Sequence, residues 1–194
     1  MVCPLDSKND GFTLLELLIS IAIFSVVLGS IFSFFISQRK YLSVQEQVSG
    51  MIQTARAAMD MISGELSVAG YSPSGAVFSG IPYNASQLQI YADLNGNGVV
   101  TDPNENIIYS YDANSKKMLR NTGSGNQPMA DNVQSFTFDY LNAQGNPTTV
   151  TANIRQIRIT ISVRTSKRDP QYASNSGYRT YTLTSLVTPR NLAY

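Results

Sequence analysis

The stretch Gly11-Phe12-Thr13-Leu14-Leu15-Glu16, followed from Leu17 to Ile36 by LLISIAIFSVVLGSIFSFFI, decides how the rest of the chain is read. The twenty residues from Leu17 to Ile36 hold no charge and no proline; small hydroxyl residues and Gly29 are the only interruptions. As a helix rising ~1.5 Å per residue they reach ~30 Å, the hydrocarbon thickness of a bilayer. A buried helix of a soluble core rarely stays apolar all round for five turns. A secretory signal has an apolar region of only ~7–15 residues and a small-residue cleavage site. Here the run is longer and no A-x-A pattern follows it, so the segment is expected to stay with the mature protein.

Glu16 opens this apolar segment. A carboxylate at membrane depth costs roughly 2.5–3.5 kcal/mol on insertion scales, so it is a functional candidate that calls for a partner. No Lys or Arg occurs between Lys8 and Arg39. A free α-amino group, with an ordinary pKa of ~7.7–8.0, serves if the chain begins close by.

Composition narrows the rest. The chain has 194 residues, long enough for one domain with an appendage and a real core. Fourteen Lys+Arg against 13 Asp+Glu leave a net charge of +1, which removes a nucleic-acid binder that works by phosphate neutralisation. With no histidine, Ser-His and Cys-His nucleophiles and imidazole metal sites are excluded. The single cysteine, Cys3, cannot form an intramolecular disulfide. No acid or hydroxyl is paired by sequence with an activating base, so no enzyme is expected.

The run from Gly11 to Glu16 and its apolar tail resemble the processing site of type IV prepilins and pseudopilins. The resemblance implies that a prepilin peptidase cuts between Gly11 and Phe12 and that Phe12 becomes N-methylphenylalanine. Residues 1–11 are then a cleaved leader, which takes Cys3 with it, and Glu16 is the fifth mature residue. It also implies assembly with other minor and major pilins or pseudopilins, in which Glu16 pairs with the methylated amine of a neighbour. Helix geometry equally allows Glu16 to meet its own Phe12 amine, since residues i and i+4 share a face. The leader is less basic than is usual, with Lys8 between Asp6 and Asp10. One Lys before the segment against Arg39 and Lys40 after it does not support a cytoplasmic N-terminus. The resemblance implies that orientation nonetheless: a single pass of the inner membrane with a periplasmic head, followed by a place in a pilus or pseudopilus.

Beyond Ile36, Tyr41, Val44, Val48, Met51, Ala55, Met59, Ile62, Leu66 and Ala69 recur at three and four, the stripe of an amphipathic helix. No proline intervenes, so one helix of ~85 Å is predicted from about Phe12 to about Ala69, ended by Gly70. Residues 12–37 form its transmembrane half and 38–69 its amphipathic half. The stretch RAAMDMISGELSVAGY from Arg56 to Tyr71 resembles the helix end of W-type minor pilins and of J-type minor pseudopilins of type II secretion. Major pilins often carry a kinking proline where Ser33 stands here.

From residue 70 to 194 the chain reads as a β-rich head. Strands are predicted at Gln87–Ala92, Asn106–Tyr111, Lys117–Arg120, Val133–Leu141, Ile154–Arg164 and Tyr178–Val187. Their one-sided alternation predicts an antiparallel sheet covered by the helix stripe, an α+β class. Gly123–Gln127 reads as a loop.

Residues 93–105, DLNGNGVVTDPNE, match the first half of a calcium loop. Asp93, Asn95 and Asn97 are the oxygen ligands, Gly98 turns the chain and Val99 offers its carbonyl. Position 12 is Asn104, so Asp102 or Glu105 must close a weak site of ~10⁻⁴–10⁻³ M. A polar hairpin loop, rich in Asn and Gly for their tolerance of positive φ, is the competing reading. The functional expectation is a minor pilin or pseudopilin acting at initiation or at the tip. The alternative is a membrane-anchored periplasmic or surface binding module that never polymerises.

Overall fold

The computed structural model describes residues 11–192. The leader residues 1–10, with Cys3 and Lys8, lie outside the described residues. One long N-terminal helix, α1 (Leu14–Ser67), is followed by seven antiparallel strands. The strands are β1 (Leu88–Tyr91), β2 (Asn106–Asp112), β3 (Lys117–Asn121), β4 (Gln127–Ala130), β5 (Val133–Leu141), β6 (Gln156–Arg164) and β7 (Thr180–Val187). The chain divides after Gln45 into two compact units.

In the C-terminal unit the helix stripe is the spine of the core. Met51, Ala55, Ala58, Met59, Ile62, Leu66 and Ala69 are buried in one cluster with Leu88, Ile90, Tyr109, Met118 and the inward residues of β5 and β6. Near its upstream end the predicted stripe is not covered: Tyr41 is exposed and Val44 only half-buried. A helical apolar period marks a face, and burial along it extends only as far as strands lie against it.

The strands form two sheets, ordered β1-β2-β3-β4 and β5-β6-β7, where the sequence suggested one. Strand β4 corresponds to no predicted strand; it starts at Gln127, the end of the predicted loop, and contains Pro128. Proline lacks an N–H, and β4 holds an edge position where a missing donor is tolerated. The Tyr111 hydroxyl joins the sheets by donating to the carbonyls of Val133 (3.1 Å) and Gln134 (2.8 Å).

Strand β6 carries the strongest alternation. Ile157, Ile159, Ile161 and Val163 are buried, while Arg158 is exposed and Thr160, Ser162 and Arg164 are half-buried. Each such side chain contributes about 1.5–3 kcal/mol on full burial. A one-residue slip would turn all four outward, a loss comparable to the ~5–15 kcal/mol net stability of a domain. The register with β5 and β7 is therefore strongly specified. On the other face, Thr160 and Thr184 hydroxyls lie 3.1 Å apart, and Thr182 donates to Ser162 at 3.1 Å.

The exit from α1 is the tightest point. Gly70 takes φ +78°, and its N–H donates to the Tyr91 carbonyl at 2.8 Å. The Tyr91 N–H in turn donates to the Gly80 carbonyl at 2.8 Å. A Cβ on Gly80 would stand 2.4 Å from the Gly70 nitrogen, a main-chain atom that cannot swing away. Two glycines thus let the helix end, β1 and the 70–80 segment meet.

Replacing Gly80 with Ala is expected to cost about 1–3 kcal/mol and lower the melting temperature by about 3–10 °C, read by circular dichroism on the full chain in detergent. An unchanged melting curve would show that the close approach is not required. Tyr140, buried, is pushed up to about 12 by loss of solvent; its hydroxyl donates to the Asn84 carbonyl at 3.0 Å. Its folded pKa lies above the ordinary ~10, so its contribution is full below about pH 10 and is lost as pH rises toward 12. The wild-type melting advantage over Tyr140→Phe should therefore shrink between about pH 10 and 12, a window set by those limits.

Candidate functional site

In the N-terminal unit, Gly11, Phe12 and Thr13 precede α1 and are exposed, Phe12 at 89%. The Gly11–Phe12 peptide therefore lies outside the helical hydrogen-bond ladder. Thr13 and Glu16 close a reciprocal cap on the helix start. The Thr13 N–H donates to Glu16 Oε2 at 2.9 Å and the Thr13 hydroxyl to the same oxygen at 2.8 Å. The Glu16 N–H donates back to the Thr13 hydroxyl oxygen at 3.3 Å. This is a capping box, in which a Thr and a Glu three residues later satisfy donors that the first turn leaves orphaned.

The sequence reading sought a cation for Glu16 and overlooked this neighbour. The T-x-x-E spacing from Thr13 to Glu16 was the available signal. The cap supplies hydrogen bonds and the positive end of the helix dipole but no full positive charge. A cationic partner therefore remains useful to Glu16.

After Glu16 the helix surface is apolar on every side and covered on none. Phe24 is 61% exposed and Phe32 68%. The stretch is long and apolar enough to cross a membrane. Three of its hydroxyls are satisfied internally: Ser20, Ser25 and Ser30 donate to the carbonyls of Glu16, Ile21 and Val26 at 2.7, 2.7 and 2.9 Å. Such back-bonding lets a polar side chain sit in hydrocarbon without a bare donor. At the end of the run, the Arg39 guanidinium lies 5.2 Å from the Phe35 ring centre.

In the C-terminal unit, the loop from Asp93 to Glu105 connects β1 to β2 and folds around its own carboxylates. Asp93 Oδ1 accepts the Gly96 N–H at 2.8 Å, and Oδ2 accepts the Gly98 N–H at 3.0 Å and the Ser74 hydroxyl at 2.5 Å. The Ser74 bond first, and the main-chain N–H groups after it, hold the Asp93 carboxyl below its ordinary range against the opposing pull of desolvation. Glu105 Oε1 accepts the N–H groups of Leu94 (2.7 Å) and Asn95 (2.9 Å). Asp102 Oδ2 accepts from the side-chain amides of Asn95 (3.0 Å) and Asn97 (2.8 Å). Val99 donates its N–H to Asn97 Oδ1 at 2.8 Å. All six residues singled out in the sequence thus belong to one connected turn. Ser74, outside the motif, was not foreseen; nothing in its local sequence marks it.

Beside this loop a cavity of about 180 Å³ is lined by Glu65, Ala92, Leu94, Asn104, Glu105 and Arg120. Arg120 grips Glu65 through Nε (3.0 Å to Oε1) and Nη2 (2.5 Å to Oε1), and the buried Tyr109 hydroxyl donates to Glu65 Oε2. Burial first, and then the Glu65 carboxylate, push the Tyr109 hydroxyl far above its ordinary range. With every member paired, the trio ties the end of α1 to β2 and β3.

Residues 6–32 match a family model described as the prokaryotic N-terminal methylation motif. No curated protein matches the chain by sequence. Among solved structures, a type IV-like pilin from Thermus thermophilus is similar at 14% identity and a TM-score of 0.44, over 77% of this chain and 98% of that one. The motif takes in Gly11, Phe12 and Glu16 together with most of the apolar run. The N-terminal segment of the chain thus carries the prokaryotic N-terminal methylation motif.

Proposed function

We propose that the protein is a minor pilin or pseudopilin, a structural subunit that takes part in assembling a type IV pilus or a type II secretion pseudopilus. One observation carries the reading: an apolar helix without a covered face, headed by the methylation motif and by Glu16. A surface of that kind has no stable place in water, and it suits lipid first and the helices of like subunits afterwards. The subunit begins as a single-pass protein of the inner membrane, N-terminus cytoplasmic and head periplasmic. A prepilin peptidase cuts between Gly11 and Phe12, and Phe12 is N-methylated.

Cleavage places a new ammonium one residue before Thr13, beside the carboxylate that caps the helix. Glu16 then offers its charge to that amine or to the amine of a neighbouring subunit. Because the cap already orients Glu16 toward the N-terminus of its helix, the amine is met without a rearranged backbone. Resemblance of Arg56–Tyr71 to W-type pilins and J-type pseudopilins supports a minor subunit placed at initiation or at the tip.

Co-expression with a prepilin peptidase should yield a chain that begins at methylated Phe12, read by intact mass and N-terminal sequencing. Retention of residues 1–11 in assembled material would remove the reading. Replacing Glu16 with Ala should reduce recovery in sheared filaments by about tenfold or more while the membrane-inserted subunit persists, since an intramembrane charge pairing is lost. Unchanged recovery would leave Glu16 without a role in assembly. A processed wild-type chain never recovered with filaments would favour an anchored binding module.

A further inference from the structure

Residues 93–105 hold three carboxylates, Asp93, Asp102 and Glu105, and no Lys or Arg. Ion pairs among the described residues join Arg120 to Glu65, Lys117 to Asp131, Arg158 to Asp139 and Arg179 to Asp169, and none reaches this loop. Two of its acids are nevertheless out of water: Asp93 is 0% exposed and Glu105 3%. An ionised carboxylate so placed costs several kcal/mol unless bonds or a cation answer it.

Asp93 is answered on both oxygens by the three hydrogen bonds described above. Glu105 is answered on one oxygen only. Its Oε1 takes the N–H groups of Leu94 and Asn95, which aims the carboxylate at the first turn of the loop. Its Oε2 is buried and has no hydrogen-bond partner. A buried acceptor left bare is uncommon and asks for a ligand.

We propose that this loop binds a calcium ion, with Asp93, Asn95, Asn97 and the Val99 carbonyl oxygen as ligands and Glu105 Oε2 closing the shell. Asp102, already against the amides of Asn95 and Asn97, supplies further negative charge at the same turn. Among the described residues no three acids converge on one point, so amide and main-chain oxygens must provide most of the shell. Calcium accepts such mixed sets of six to eight oxygens on a flexible turn, whereas magnesium demands a strict octahedron and keeps its waters. The bound ion would pin Asp93, next to β1, and Glu105, next to β2, to a single centre.

The test uses the full chain in detergent, stripped with EGTA and titrated with calcium chloride or magnesium chloride to about 10 mM, tenfold above the ~10⁻³ M upper end of weak extracellular sites. Calorimetry should give a saturable calcium heat with Kd about 10⁻⁴–10⁻³ M. The melting temperature should rise by about 3–6 °C at tenfold excess over Kd. Glu105→Gln should weaken binding by about tenfold or more, because it removes a charged ligand. Asn97 is exposed, and Asn97→Asp exchanges the amide that donates to Asp102 for a second carboxylate, so it should tighten calcium binding severalfold. The second variant decides the matter if the first fails to fold.

Absence of both heat and melting shift in the wild type overturns the proposal. So does an equal response to magnesium, or a calcium response that neither substitution moves. A water in the adjoining cavity would satisfy Oε2 equally well, and calcium would then leave heat and melting temperature unchanged.

Discussion

The constraint on which the rest depends is the bare apolar surface of α1 after Glu16. A helix that buries one face can live on the outside of a soluble domain; a helix apolar on all faces needs cover all round. Among the described residues of the N-terminal unit nothing provides that cover, as the exposure of Phe24, Ile31, Phe32 and Phe34 demonstrates. Lipid or other helices must therefore do so. The polar groups of the segment accommodate either environment: serines bond to their own helix backbone, and Glu16 bonds to Thr13. Three serine hydroxyls and the Glu16 carboxylate thus carry their own hydrogen-bond partners into an apolar setting.

The same helix has a second character further along. From Met51 onward its small and apolar residues face strands, and Ala55 and Ala58 let the chain approach closely where larger side chains would hold it off. Glu65, a polar residue off the stripe, is drawn into the structure by Arg120 and Tyr109. The end of α1 is therefore held by charge and hydrogen bonding as well as by packing. Gly70 and Gly80 then allow the turn that brings β1 alongside.

The β1–β2 loop is a different kind of object. Its turn is built by carboxylate and amide oxygens that accept main-chain N–H groups, a design that concentrates negative charge in a small and partly buried volume. Elsewhere in the head the acids that take part in ion pairs meet an Arg or a Lys. Here the donors are amide N–H groups and the Ser74 hydroxyl, and one glutamate oxygen lacks even those.

Much of this was legible in the sequence, for identifiable reasons. Hydrophobic run length, the freedom from charge between Leu17 and Ile36, and the position of Glu16 are local facts, so the apolar helix and its N-terminal motif were plain. Strands β5 and β6 were legible because alternation over nine residues is a strong local signal. Others were decided in three dimensions. Strand β4 exists because β3 offers it an edge, which no property of Gln127–Ala130 announces. The division into two sheets depends on which strands meet. The capping box was written in Thr13 and Glu16, yet only the helix start at Leu14 brings the two together. The unpartnered Glu105 oxygen is the clearest case: the sequence determined that an acid stands there, while its burial and the choice of which oxygen finds a donor arise from neighbours at a distance, because solvation and hydrogen bonding are properties of a packed environment rather than of a residue.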